Sequence, residues 1–220
     1  AFGKLILGPN KLMATIITSG GMITIVPSVI RANQLVIFKG DENPEYEEDN
    51  EEGFICVNDD NSNRINFDKI VNPRSNAALI SGTELKDYRM GIVVTGEFYE
   101  ANGNNNIDVM MAVDFAVNRL NLIYENDLSV RFTLADDAIL YNDPDTDPFI
   151  PDNSGGNSRT RQAIEVVNSN FDIIDYDIGH VFHTHSSGDG WSGGGVAFLG
   201  VVCLDSSPFA GAYKAGGWSG

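Results

Sequence analysis

Cysteine is scarce in this chain: two thiols, Cys56 and Cys203, in 220 residues. Two are too few for a disulfide framework. They can pair with each other, pair with thiols outside this sequence, or stay free. Basic charge is also short, 14 Lys and Arg against 31 Asp and Glu, for a formal charge of −17. Such a field repels nucleic acid and anionic membranes, because phosphate binding depends on Lys and Arg. It is compatible with calcium binding or with plain solubility. Long hydrophobic runs are missing, and the longest, such as Gly91–Thr95, are strand-sized rather than the ~18 residues of a membrane span. Membrane insertion is therefore not expected. Ala1-Phe2-Gly3-Lys4 is not a basic segment followed by an apolar one, so any export signal is expected to have been removed already.

What is present suffices for an ordinary core, with 42% hydrophobic residues. Residues 1 to about 40 read as β: Lys4–Leu7, Leu12–Thr18, Met22–Val26 and Gln34–Lys39. Ser19-Gly20-Gly21 between two β-branched runs is a hairpin signal. Glu42–Glu52 is an acidic run expected to be a solvated loop, and residues 57–82 are polar, Asn-rich and without period, as a linker is. From Tyr88 the pattern changes. Arg89–Thr95 is a continuous apolar strand of the kind buried on both faces. Ile107, Met110, Met111, Val113, Val117, Leu120 and Tyr124 fall on one helical face, with Asn118, Asn121 and Glu125 largely opposite. Leu128–Leu134 reads as a strand, Ala138–Tyr141 continues into a Pro- and Asp-rich loop over Asn142–Pro151, and Ser158–Phe171 reads as a second amphipathic helix. Asp177–Phe182 and Val196–Cys203 are further strands, separated by the glycine-rich His183–Gly195, and Gly211–Gly220 reads as loop. The order predicts a three-layer α/β domain with a mostly parallel twisted sheet, preceded by a small β-rich unit. The boundaries are 1–57 for the β unit, 58–82 for the linker and 83–220 for the α/β part.

Two constellations invite a metal. His183 and His185 would share one face of a strand close to His180, and imidazole suits zinc, copper or nickel. The competing reading is a hydrogen-bonded His180 with two solvated histidines. Asn142-Asp143-Pro144-Asp145-Thr146-Asp147 clusters oxygens as calcium requires, but it lacks the glycine and terminal Glu of an EF-hand. Two Asp-Pro steps, Asp143-Pro144 and Asp147-Pro148, favour a turn-forming role instead.

Three strings narrow the function. They are DFAVNRLNLIYENDLSVRFTLADDAILYNDPDTDP over Asp114–Pro148, YDIGHVF over Tyr176–Phe182, and GGGVAFLGVVC over Gly193–Cys203. In that order they resemble the reprolysin-like (adamalysin-related) metzincin zinc metallopeptidases, bacterial type, over about residues 86–220. Residues 1–56 resemble the end of that family's propeptide more weakly. The resemblance implies a secreted endopeptidase made as a zymogen, a metzincin-like fold, zinc as cofactor and peptides or proteins as substrates. It further implies that substrate pairs with an edge strand at Gly195, Val196, Ala197, Phe198, Leu199 and Gly200. Cys56 falls at the end of the propeptide-like unit, where a thiolate can act as a cysteine switch on zinc; a disulfide, with Cys203 as one partner, or a buried thiol are the alternatives. Cys203 matches a family position used for a disulfide. The family binds zinc through HExxHxxGxxH, whose Glu works on the metal-bound water. No HExx follows His180, His183 or His185, so the zinc ligands and catalytic Glu are expected beyond Gly220. The rival expectation is a non-catalytic binding or assembly protein, without the zinc helix, that self-associates by exchanging strands.

Overall fold

A computed structural model describes residues 1–9, 11–28, 31–39, 84–149, 156–184, 194–207 and 211–220. Cys56, His185, the acidic run and the 58–82 linker lie outside the described residues. Four strands open the chain: β1 (Phe2–Leu7), β2 (Leu12–Thr18), β3 (Gly21–Pro27) and β4 (Leu35–Lys39). They pair in sequence order as an antiparallel meander. The β2–β3 turn follows the hairpin signal: Gly21 has φ 112°, and the Thr18 hydroxyl accepts from Gly20 N and donates to Gly21 O.

The second sheet comprises β5 (Lys86–Val94), β6 (Val130–Leu134), β7 (Ile139–Leu140), β8 (Ile178–Phe182), β9 (Gly195–Ala197) and β10 (Gly217–Ser219). Its order is β6-β5-β8-β10-β9, with β7 also on β5. Every pair is parallel except β9 with β10. Helices lie on both faces, as the alternation of strands and helices predicts. α2 (Asn106–Leu128), preceded by the short α1 (Gly96–Ala101), packs Val109, Val113 and Val117 against Met90, Ile92 and Val94 of β5. α3 (Gly156–Asn170) packs Ala163, Ile164 and Val167 against Val93, Val181 and Trp218 on the other face. Successive residues from Met90 to Val94 thus enter different cores, which is why that stretch of β5 is apolar throughout rather than alternating. Asn105 caps α2 by accepting from Asp108 N, and Ser129 ends it in the left-handed region at φ 53°.

Three expectations need correction. Asn121, placed by periodicity on the polar face of α2, is buried: its amide donates to Phe132 O at 2.8 Å and accepts from Phe132 N at 2.7 Å. The apolar run expected as one strand over Val196–Cys203 is extended only over Gly195–Ala197. Gly200 at φ 70° and Cys203 at φ 60° turn the chain, and Leu199 and Val202 are exposed. Finally, Gly211–Gly220 is no loop. Tyr213–Ala215 forms a 3-10 turn and Gly217–Ser219 becomes an inner strand between β8 and β9.

The meander sits on α2. Lys4 Nζ lies 3.9 Å from Glu125 and Lys11 Nζ 2.9 Å from Asp108, while the absent side chain of Gly8 leaves room for the Met111 thioether. At the other sheet end, Arg89 ties β5 to the approach of β8. Its guanidinium meets both Asp177 oxygens at 3.1 and 3.2 Å and donates to Ile174 O at 3.0 Å. The Asp177 carboxyl is held below its ordinary range chiefly by that hydrogen bond. A carboxylate with a lowered folded pKa contributes stability above its unfolded value, about 3.9, and loses it as pH falls through the folded one. Arg89→Met is therefore expected to cost stability at pH 7 and little near pH 2. Urea melts at the two values check this, and an equal loss at both would contradict it.

Candidate active-site rim

β9 is the edge of the sheet, and its backbone has two distinct sides. Gly194 and Gly220 exchange N–H and C=O bonds, and Phe198 N donates to Gly216 O at 3.3 Å. In an antiparallel register such exchanges recur every second residue. Gly194, Val196 and Phe198 therefore turn their peptide groups inward to β10, and Gly195 and Ala197 turn theirs outward. No strand adjoins that outer side among the described residues. The side chains that hold β9 in place are mostly hidden: Val196 and Phe198 pack on the α3 core, and Phe198 meets Tyr213 edge-on at 5.1 Å. Gly195 has no room for a Cβ, which would come within 2.9 Å of Trp218 O. Of the six residues expected at the rim, Gly195, Val196 and Ala197 form the strand, Phe198 continues its inward bonding, and Leu199 and Gly200 lie in the following turn.

The histidines are not arranged as expected. His183 is buried, not solvated, because it follows β8 directly and carries the end of β10. Its N–H donates to Ser219 O at 2.8 Å, its ring meets Trp218 edge-on, and a Cβ on Gly220 would press on it. Its Nδ1 lies 3.1 Å from Thr95 Oγ1 and 3.6 Å from Glu97 Oε2. His180 is hydrogen-bonded, as one reading had it, with Nε2 3.0 Å from Ser219 Oγ. Glu97 and Trp218 escaped the sequence reading, since neither belongs to a spaced motif. The two histidines thus brace β8, β10 and α1 rather than converging on one point.

These residues do not fit a zinc centre. The two rings are committed to separate neighbours, and among the described residues no group of three or more His, Cys, Asp and Glu could hold a metal ion. The Asn142–Asp147 oxygens serve the turn: Asp143 accepts from Asp145 N and Thr146 Oγ1, and Asp147 accepts from Gly96 N and Phe149 N. Burial raises the Asp147 carboxyl above its ordinary value. Cys203 is exposed, and its N–H donates to Asp177 O at 3.0 Å.

Burial pushes the His180 ring down to about 4 from 6.5. A depressed histidine favours the fold above its unfolded pKa, and that contribution is lost as pH falls from about 6.5 to about 4. Stability is expected to drop by up to about 3 kcal/mol across this interval, less whatever solvent screens. His180→Gln, which keeps a bond to Ser219, should flatten that part of a pH–stability curve. An unchanged slope would contradict the assignment.

No curated protein matches the chain. A family model described as Metallo-peptidase family M12B Reprolysin-like matches residues 85–219. The matched span takes in the whole second sheet, from β5 to the antiparallel edge strand and the inner strand beside it. The chain belongs to the M12B reprolysin-like metallopeptidases, whose members are zinc-dependent.

Proposed function

We propose that this chain forms the substrate-side wall of a secreted zinc endopeptidase made as a zymogen. The observation that carries the reading is β9: an antiparallel edge strand whose Gly195 and Ala197 peptide groups turn away from the sheet. An extended peptide can add to such an edge as one more strand, with affinity from main-chain hydrogen bonds and little selectivity for side chains. Family membership supplies the chemistry, hydrolysis of peptide bonds at zinc. The HExxHxxGxxH segment is not within these residues; on this reading it follows β10. Residues 1–57 act as the end of the propeptide, and Cys56 is a candidate for its zinc-directed thiol. Zinc content and peptide cleavage, measured on the protein as isolated from its natural source, test the reading. A protein that holds no stoichiometric zinc and cuts no peptide overturns it.

A second reading, an assembly protein, is favoured by one feature. Leu5, Leu7, Leu35 and Ile37 are exposed on one face of the meander, an apolar patch suited to association. Sedimentation of the natural protein separates the two, since a zinc-free oligomer favours the second reading.

A further inference from the structure

We propose that residues 1–39 are a separable module held on α2 by opposite charge, so that salt releases it once the connecting chain is cut. The charge of this protein is segregated along its length. The first 40 residues hold four basic side chains, Lys4, Lys11, Arg31 and Lys39, and none of the chain's 31 acidic ones. The rest is strongly acidic. The two parts meet where the opposite signs face each other: Lys11 against Asp108 at 2.9 Å near the start of α2, and Lys4 against Glu125 at 3.9 Å near its end. Both carboxyls are held below their ordinary values, first of all by hydrogen bonds, Asp108 to Lys11 and Glu125 to Arg131.

A second observation points to reversibility. The sheet face that carries Lys4 also carries Thr15 and Thr24, in register across β1, β2 and β3. Each threonine is about 1% exposed, and neither hydroxyl has a hydrogen-bond partner among the described residues. A buried hydroxyl without a partner disfavours the closed state, where valine of the same shape would not. The contact thus combines long-range attraction with imperfect burial, as a docked module does and a continuous core does not. The seat is also remote from the rim, since α2 packs on β6 at the sheet edge opposite β9. Docking of residues 1–39 on α2 leaves the outer side of β9 untouched, and the proposal stands whether or not β9 binds substrate.

The test uses the full chain with a protease site inserted between Lys39 and Glu84, cut after folding and run on a sizing column. The pieces are expected to co-elute in about 0.1 M salt and to separate in about 1 M, as the screening length falls from about 10 Å to about 3 Å. Lys11→Glu should weaken the association about tenfold at low salt, and the exchanged pair Lys11→Glu with Asp108→Lys should restore it. Thr15→Val should hold the pieces together to higher salt. Pieces that stay together in about 1 M salt, or that part in about 0.1 M, overturn the proposal. If Lys11→Glu fails to fold, the salt series on the unmodified sequence still decides. A β9-binding peptide added to either sample reports on the rim independently.

Discussion

Asn121→Leu is expected to destabilise the protein by about 2–4 kcal/mol, although it places an apolar side chain of similar size at a buried position. β6 is the outermost strand on its side of the second sheet. Its residue Phe132 directs N–H and C=O away from β5, where an edge strand normally meets water or another chain. The Asn121 amide accepts the first and donates to the second, at 2.7 and 2.8 Å, and so takes the place of the missing neighbour strand. Leucine leaves two backbone groups without partners beside a helix that shields them from water. Asn121→Asp keeps the acceptor but faces its second oxygen to the Phe132 carbonyl, so it should be no better than leucine at neutral pH. Chemical denaturation measures both. A loss under about 1 kcal/mol for Asn121→Leu would mean that water satisfies Phe132.

Ala197→Pro is expected to weaken binding of an extended peptide at least about tenfold while moving the melting temperature by no more than about 2 °C. The Ala197 N–H turns outward, so proline removes a donor to any strand added at that edge and none to β10. The residue before it is already extended, as the one preceding proline must be. Val196→Pro is the contrast: its N–H turns toward Trp218, and its loss should lower the melting temperature first. Binding is read by titrating a fluorescent peptide onto each variant. Equal affinity for the unmodified chain and Ala197→Pro would remove β9 from the substrate path.

Much of the architecture was legible because long elements bury long, periodic faces. The 23-residue α2 and the apolar second half of β5, Met90–Val94, announce themselves. So does the meander, whose β2–β3 turn carries Gly21 at φ 112°. The failures share a cause. β10 is three residues with one large apolar side chain, Trp218, too short for any period to show. Asn121 looks like surface because its burial is set by a strand edge rather than by the helix it belongs to. The run from Val196 to Cys203 looks like one strand because hydrophobicity does not register a left-handed turn. At the site, the glycine-rich stretch after β8 suggested a solvated His183, whereas backbone bonds from β8 to β10 bring it inside. The rim itself was found through resemblance; periodicity alone would have drawn it too long.

Chain order sets a constraint on synthesis. The edge strand Gly195–Ala197 is made before Gly217–Ser219, yet the later segment stands between it and β8. A growing polypeptide that has released β9 but not yet Trp218 lacks the strand that β9 pairs with, so this edge is expected to be the last part of the sheet to take shape. A nascent chain stalled ahead of Gly217 should carry a formed α2 core and an unplaced β9, open to protease between α3 and the ribosome.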